Sequence, residues 1–269
     1  MKTLNQYIQE KLIINKDYRE AKIVVKSFVE LKKIIEDRYD KLGAGTKQDP
    51  IDFNDIDVSN IRSFCKKYKY TSNGIFAEIK FKYIDISDWD VSSVTDMSNM
   101  FYGCKELESV GDISNWDVSN VTDMSGMFFN CQVLKSVGDL SGWDASNATD
   151  MSYMFKYCEN LNQDLSSWNT SSVTDMSYMF EGCKSFNQDI SKWDVSNVRF
   201  MTYMFTCCKS FNQDISNWNV SKVNDMTCMF DGCKSFNKDI SDWDVSKVQF
   251  KTYIFLNCPI KEEYKPKFK

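Results

Sequence analysis

The sequence predicts an α/β repeat fold, a solenoid of about seven coils of 25–27 residues with an N-terminal α/β cap. Seven tryptophans lie 27, 27, 25, 25, 25 and 25 residues apart, and a cysteine follows each one by fifteen residues. Such a fixed period indicates units that bury their apolar faces only against their neighbours. The tryptophan column is Trp89, Trp116, Trp143, Trp168, Trp193, Trp218 and Trp243, and the cysteine column is Cys104, Cys131, Cys158, Cys183, Cys208, Cys233 and Cys258.

Residues 1–50 are interpreted as a strand–helix cap, because an open stack of coils would leave a bare strand edge. The segment "AKIVVK" is rich in β-branched residues and suits a strand. The next segment, "SFVELKKIIEDRYDKLG", has a capping box at Ser27 and Glu30, apolar residues at helical spacing, and Gly43 as a stop.

Residues 51–84 are predicted to be a degenerate capping repeat and a connection. Within "DFNDIDVSNIRSF", Ile56 takes the place of the tryptophan, and Cys65 falls close to the cysteine column.

Residues 85–258 hold the seven repeats, in which we predict a short parallel strand and a short helix per coil. The strand is "DISKWDV" and its equivalents, which are expected to pair with one another. The helix is predicted from apolar residues spaced i, i+3, i+4 and i+7, namely Met176, Met179, Phe180 and Cys183. Asp175 or Ser177 would cap this helix, and Gly182 would end it.

Residues 259–269 form a basic C-terminal tail. Just before it, Lys251 replaces a core methionine and Pro259 follows the last cysteine of the column, so the stack is expected to stop there.

The repeated line, as in "FNQDISKWDVSNV" and "MTYMFTCCKSFNQDISNWNVS", resembles the BspA-like, leucine-rich-repeat-type surface proteins. Their repeat of roughly 25 residues, W-D-V-S-N-V-T-D-M-S-x-M-F, occurs in bacterial surface proteins and mycoplasma lipoproteins. The resemblance covers residues 85–258 and, weakly, residues 52–65. It implies a leucine-rich-repeat-like solenoid used for attachment or protein binding.

Composition excludes several kinds of function. The chain has no histidine, which rules out Ser-His-Asp and Cys-His catalysis and mixed Cys/His zinc sites. Residues 85–260 carry twelve Lys/Arg against twenty-four Asp/Glu, a net charge of −12, whereas residues 1–43 and 261–269 are +3 and +2. Because phosphate contacts need basic residues, nucleic acid is not an expected partner.

The columns are interpreted first as packing. The cysteines lack C-x₂-C spacing and are expected to be buried reduced thiols rather than ligands or disulfides. The tryptophans could form a sugar-binding stripe, but core packing is favoured. The aspartates lack the glycine-rich nonapeptides of calcium-binding β-rolls, so no metal or other cofactor is expected. Asn162, Asn187, Asn212 and Asn237 are expected to form a hydrogen-bonded turn ladder.

The candidate binding residues are tyrosines at one repeated position: Tyr153, Tyr178, Tyr203 and Tyr253. If the predicted helices form, these side chains point away from the apolar face and partly toward solvent. Rim packing against the next coil is the alternative interpretation.

The sequence therefore predicts a non-enzymatic scaffold that binds a protein or a glycan, with attachment or host interaction as the expected role. A carbohydrate-active enzyme and a purely structural module of an assembly are the alternatives. The N-terminus lacks the apolar region of a signal peptide, and no apolar run is long enough to span a membrane, so a cytoplasmic location is expected unless another route exports the chain.

Overall fold

The computed structural model describes residues 22–67, 72–135 and 137–268. Residues 1–21 of the predicted cap and Lys269 of the predicted tail lie outside the described residues.

The predicted N-terminal helix is confirmed and is here called α1, Phe28–Leu42. The Ser27 hydroxyl accepts a hydrogen bond from the Glu30 amide at 3.3 Å, while the Glu30 carboxylate accepts one from the Lys26 amide at 3.0 Å. Gly43 ends the helix with φ +75°, a conformation that glycine adopts without strain. One face of α1 packs into the core through its buried residues Leu31, Ile34 and Ile35.

One short strand precedes α1, and further short strands lie between α1 and the repeats. They are β1 (Ile23–Val24), β2 (Ile51–Asp52), β3 (Ile56–Asp57), β4 (Cys65–Lys67), β5 (Ser72–Gly74) and β6 (Ile84–Asp85). The pairs β1–β3 and β2–β6 are parallel, and β4–β5 is antiparallel. Single-turn 3₁₀ helices occur at Leu140–Gly142 and Glu262–Tyr264.

Successive repeats lie side by side and are joined by parallel bridges between equivalent residues. The bridged residues, in order along the stack, are Ser63, Asp96, Asp123, Asp150, Asp175, Phe200, Asp225 and Phe250. Ring centroids of neighbouring tryptophans lie 6.1–6.4 Å apart in the measured pairs, and the rings are nearly parallel. The assignment of these stacked units to a leucine-rich-repeat-like solenoid stays a prediction.

The predicted helix in each repeat is wrong. The segments equivalent to 176–183 are consecutive turns. In this segment Tyr178 has φ +63° and Gly182 has φ +74°, and two left-handed residues four positions apart interrupt any right-handed helix. Three-residue turns also place every third or fourth apolar side chain on one side, so the spacing of Met176, Met179 and Phe180 did not distinguish them from a helix.

The predicted strand "DISKWDV" is also wrong. Here the Ser191 amide donates to Asp189 Oδ1 and the Ser196 amide to Asp194 Oδ1, both at 2.9 Å. The Trp193 amide bonds to the carbonyl of Ile190 at 3.2 Å. These local turns satisfy backbone groups that a strand would have offered to a neighbour. The regular pairing lies instead at the bridged Asp/Phe position.

In the degenerate repeat, the placement of Ile56 is confirmed and that of Cys65 is wrong. Trp89 Nε1 donates to the carbonyl of Phe53, three residues before Ile56, just as Trp116 Nε1 donates to the carbonyl three residues before Trp89. Cys65 lies instead on β4, because the β4–β5 hairpin is inserted here before the coil resumes at Gly74. A Cβ atom on Gly74 would lie 1.8 Å from the Asn99 carbonyl oxygen, so only glycine fits.

Candidate functional site

The tryptophan column is buried, with each ring at most 5% exposed. Each indole N–H also donates to a carbonyl of the preceding coil, as Trp193 Nε1 does to Leu165 at 2.9 Å and Trp143 Nε1 to Ile113 at 3.0 Å. The rings therefore pack the interior and cross-link neighbouring coils.

The cysteine column is buried except for Cys258, which is half-buried, and all ten cysteines are free thiols. The thiol of Cys183 donates to the Phe155 carbonyl at 2.9 Å, and Cys208 repeats this contact with Phe180 at 2.8 Å. Burial raises the pKa of the Cys183 thiol well above its ordinary value of 9.0, so it stays protonated and remains a donor.

The predicted asparagine ladder is confirmed. The Asn187 amide donates to Asn162 Oδ1 at 2.9 Å, and Asn212 and Asn237 repeat the contact with the asparagine one coil earlier, at 2.9 and 3.1 Å. Where the bridged residue is an aspartate, it closes a turn: Asp150 Oδ1 accepts from the Ser152 amide at 2.8 Å, whereas Phe200 and Phe250 offer no such acceptor. This turn replaces the predicted helix cap.

Three of the four candidate tyrosines are brought together. Tyr153 and Tyr178 stack with centroids 4.5 Å apart and ring planes 9° apart, and Tyr178 and Tyr203 stack at 4.9 Å and 6°. Tyr253 is separated from them, because the buried Cys228 occupies the intervening coil. Tyr153, Tyr178 and Tyr203 have φ values of +60°, +63° and +57°.

Two further rings that the sequence reasoning missed extend this stack. Phe129 lies 6.4 Å from Tyr153 between ring centroids, and Tyr102 stacks on Phe129 at 4.5 Å. We call Tyr102, Phe129, Tyr153, Tyr178 and Tyr203 the aromatic ridge. Tyr102 and Phe129 come three residues after the tyrosine position of their coils, so only the lateral packing of neighbouring coils places them in line.

A lysine and a glutamate lie beside the ridge. Lys156 Nζ is 4.4 Å from the Tyr178 ring centroid and 2.7 Å from Glu181 Oε2, and both charged side chains are largely buried. The Tyr157 hydroxyl donates to Glu181 Oε1 at 2.8 Å, a hydrogen bond that raises the pKa of Tyr157 to about 12. The lysine thus offsets the charge of the glutamate and contacts the aromatic rings.

A polar groove of about 420 Å³ lies at the N-terminal end of the ridge. It is lined by Glu78, Ile79, Lys80, Tyr102, Gly103, Lys105, Glu106 and Asn130. Its wall carries two glutamates and two lysines, so it has no strong preference for either sign of charge.

Within the described ranges, no cluster of three or more histidine, cysteine, aspartate or glutamate side chains is arranged to hold a metal ion. In the same part of the chain, no helix has the length and apolarity needed to cross a membrane.

Comparison with known proteins gives one family. The profile described as "Mycoplasma protein of unknown function, DUF285" matches residues 69–184 and again residues 158–265. No curated protein and no solved structure matches the chain. The two matches together span residues 69–265, which is 197 of the 269 residues. The protein therefore belongs to the DUF285 family, a family of the BspA-like repeat type.

Proposed function

We propose that this protein is a non-enzymatic, leucine-rich-repeat-like scaffold that binds another protein along the aromatic ridge. The observation that carries the proposal is the stack of Tyr153, Tyr178 and Tyr203, each held at positive φ on three neighbouring coils.

The backbone conformation of these tyrosines is costly. A bulky residue at positive φ is strained by about 1–3 kcal/mol, and such strain concentrates at functional sites. Other coils have Asn99 and Gly126 at this position, residue types that tolerate it with less strain. Stacking stabilises each ring pair by about 0.5–1.5 kcal/mol, so it offsets only part of the backbone strain. We attribute the retention of tyrosine despite the remaining strain to a binding role at the surface.

The stacking geometry favours a protein over a glycan. Sugars pack against the open face of an aromatic ring, but Tyr178 has a parallel ring on each side. The stack therefore presents ring edges and hydroxyl groups to a partner. Tyrosine edges and hydroxyls are frequent at the centre of protein interfaces, where one polar group and a rigid ring act together.

The surrounding charge favours a basic or hydroxyl-rich partner surface. Asp175 lies in the coil of Tyr178, and Asp225 lies two coils further on. Burial raises the pKa of the Tyr178 hydroxyl, and the negative charges of Glu181 and Asp225 raise it further. These carboxylates and the net charge of −12 over residues 85–260 give the repeats an acidic potential. The BspA-like repeat type is consistent with an attachment role at a cell surface, which we include in the proposal.

The test replaces Tyr153, Tyr178 and Tyr203 together by asparagine, the residue found naturally at position 99 of the same row. Asparagine tolerates positive φ, so the melting temperature should change little. The triple variant should bind the proteins captured by the wild type with at least tenfold lower affinity. Each hot-spot tyrosine contributes about 2 kcal/mol or more to binding.

Tyr253→Asn is the matched control, because it makes the same change in the same row outside the stack. If the triple variant keeps full binding, the ridge is not the interface. If a glycan array rather than captured protein shows the tyrosine dependence, the partner is a glycan. A triple variant that unfolds while Tyr253→Asn does not would identify the ridge as packing.

A further inference from the structure

At alternate positions of each turn segment, the backbone amides donate to carbonyls of the following coil. In one coil the amides of Met201, Tyr203, Phe205 and Cys207 donate to the carbonyls of Asp225, Thr227, Met229 and Asp231 at 2.7–2.9 Å. The same set of four bonds joins every neighbouring pair of coils from residue 97 to residue 256. Each coil therefore offers carbonyl groups to the coil before it and amide groups to the coil after it.

This polarity gives the two ends of the stack different chemistry. At the N-terminal end α1 meets the first coil, where Lys32 donates from Nζ to the Gly74 carbonyl at 3.2 Å. This carbonyl also accepts the Ala77 amide within its own turn. The Lys32 side chain is only 14% exposed, so α1 packs closely against this end of the stack and brings a cation to it.

At the C-terminal end the row of amides meets no further coil. The amides of Tyr253, Phe255 and Asn257, which correspond to donors in every earlier coil, donate to no carbonyl among the described residues. The following tail covers the interior instead, since Ile260 and Pro266 are buried and Lys265 Nζ lies 5.7 Å from the Phe255 ring centroid. Three donors spaced two residues apart thus lie along an exposed edge.

The side chains around this edge are basic and apolar. Residues 247–268 contain five lysines and two glutamates, a net charge of +3, whereas residues 85–246 contain ten basic and twenty-four acidic residues, a net charge of −14. Phe250, Tyr253 and Leu256 are 56%, 63% and 45% exposed. The outward amides add partial positive charge to that of the lysines.

We propose that this C-terminal edge, residues 247–257, binds an acidic segment of a partner protein in extended conformation. Backbone carbonyls of the segment accept hydrogen bonds from the amides of Tyr253, Phe255 and Asn257. Its carboxylates face Lys247 and Lys251, and its apolar side chains contact the exposed rings. This is strand addition to an open edge, with the charge of the edge selecting the partner.

A second copy of the chain fits this edge poorly. Two C-terminal edges would place donors against donors and lysines against lysines. In a head-to-tail contact this basic edge would meet the end of the next copy where α1 lies, with Lys32 at the Gly74 carbonyl.

The proposal is tested with a synthetic ten-residue peptide of alternating glutamate and valine, blocked at both ends. In the free protein, the amides of Tyr253, Phe255 and Asn257 should exchange with deuterium at least tenfold faster than those of Tyr203, Phe205 and Cys207. The acidic peptide should slow their exchange, and a lysine–valine peptide of equal length should not. Absence of binding, or protection that appears equally with the basic peptide, would overturn the proposal.

Two double variants separate the edge from general charge attraction. Lys247→Glu with Lys251→Glu should weaken binding of the acidic peptide at least tenfold. Lys192→Glu with Lys209→Glu makes the same charge change at exposed positions of earlier coils and should have less than a threefold effect. Equal losses in both would show that attraction is nonspecific. The asparagine triple variant of the ridge should bind the peptide normally, so this test is independent of the proposed function.

Discussion

Single residues in the two main columns combine an apolar body with one polar hydrogen. Trp193 and Cys183 are both buried, and each donates to a carbonyl of the preceding coil. The residue choice thus reflects hydrogen bonding between coils as well as volume, because a buried carbonyl without a donor is destabilising. Burial with satisfied polar atoms is also what distinguishes these columns from the partly exposed ridge.

The ion pair under the ridge gives a first prediction. Lys156→Met should lower the free energy of unfolding by about 2 kcal/mol, because it leaves the buried Glu181 carboxylate without its cation. Urea unfolding measures the change. Lys184→Met is the matched control: its pair with Glu159 is 45% and 37% exposed, so its loss should cost less than about 1 kcal/mol. Equal costs would mean that the Lys156 pair is effectively solvated.

Asp150 gives a prediction on pH. Burial raises its pKa above the ordinary value of 3.8, and the neighbouring Asp123 and Asp175 carboxylates add to the effect. A group with a raised folded-state pKa stabilises the fold below its unfolded pKa and loses that contribution as pH rises through the folded pKa. Asp150→Asn keeps the acceptor for the Ser152 amide and should therefore raise the melting temperature at pH 7 but not at pH 3.5.

Asp189→Asn should show the opposite sign. Hydrogen bonds from the backbone amide and side chain of Ser191 lower the pKa of Asp189, so its contribution is present above the unfolded pKa and is lost as pH falls through the folded pKa. Its replacement should lower the melting temperature at pH 7 more than at pH 3.5. If the melting temperatures of both variants change in the same direction at pH 7, the charged form of Asp150 is not destabilised by its burial.

The structural element of the repeat is a turn-rich coil, whose shape depends on left-handed residues at two positions. One position holds the ridge tyrosines, and the other immediately precedes the column cysteine, as Gly182 does before Cys183. Alternate amides bond within the coil and to the next coil, as the Met179 amide does to Met176 and the Tyr178 amide to Thr202. In a helix all of these amides would bond to carbonyls of the same segment. The turns leave alternate amides free to bond to the next coil.

Gly182 gives a prediction for this element. Gly182→Ala places a Cβ at φ +74° and 2.5 Å from a ring carbon of Tyr157, so the ring must move away from Glu181. We expect a loss of about 2 kcal/mol in unfolding free energy. Gly43→Ala is the control, since its φ of +75° is similar but its Cβ meets no atom within 4 Å. Gly43→Ala should lower the unfolding free energy by about 1 kcal/mol. An equal loss in Gly182→Ala would show that the contact with the Tyr157 ring does not contribute.

At the scale of the whole molecule, the stack is polar from one end to the other. Along the turn segments, carbonyl groups point toward the N-terminal end, where Lys32 of α1 contacts the first coil. Amide groups point toward the C-terminal end, where those of Tyr253, Phe255 and Asn257 donate to no carbonyl of the described residues. The acidic repeats and the basic last coil follow the same axis. The two proposed surfaces, the ridge on the side of the stack and the edge at its C-terminal end, therefore differ in the charge of their surroundings.

The features that depend on repeat spacing and on local capping could be predicted from the sequence. The buried tryptophan and cysteine columns, the asparagine ladder and α1 all follow from a fixed period or from a local signal such as Ser27 and Glu30. These features were predictable because identical positions in stacked units must meet, and because a capping box acts within a single turn.

The conformation of each coil and the position of the candidate surfaces depend on contacts between coils. The apolar spacing at Met176 and Phe180 fits a helix and a series of turns equally well, and the choice depends on amides that bond to the next coil. The alignment of Phe129 with Tyr153 arises between coils, and the Tyr253 amide lacks a carbonyl partner among the described residues because the repeats end there. Contacts across 25 or more residues have no local signal, so the sequence pattern does not reveal them.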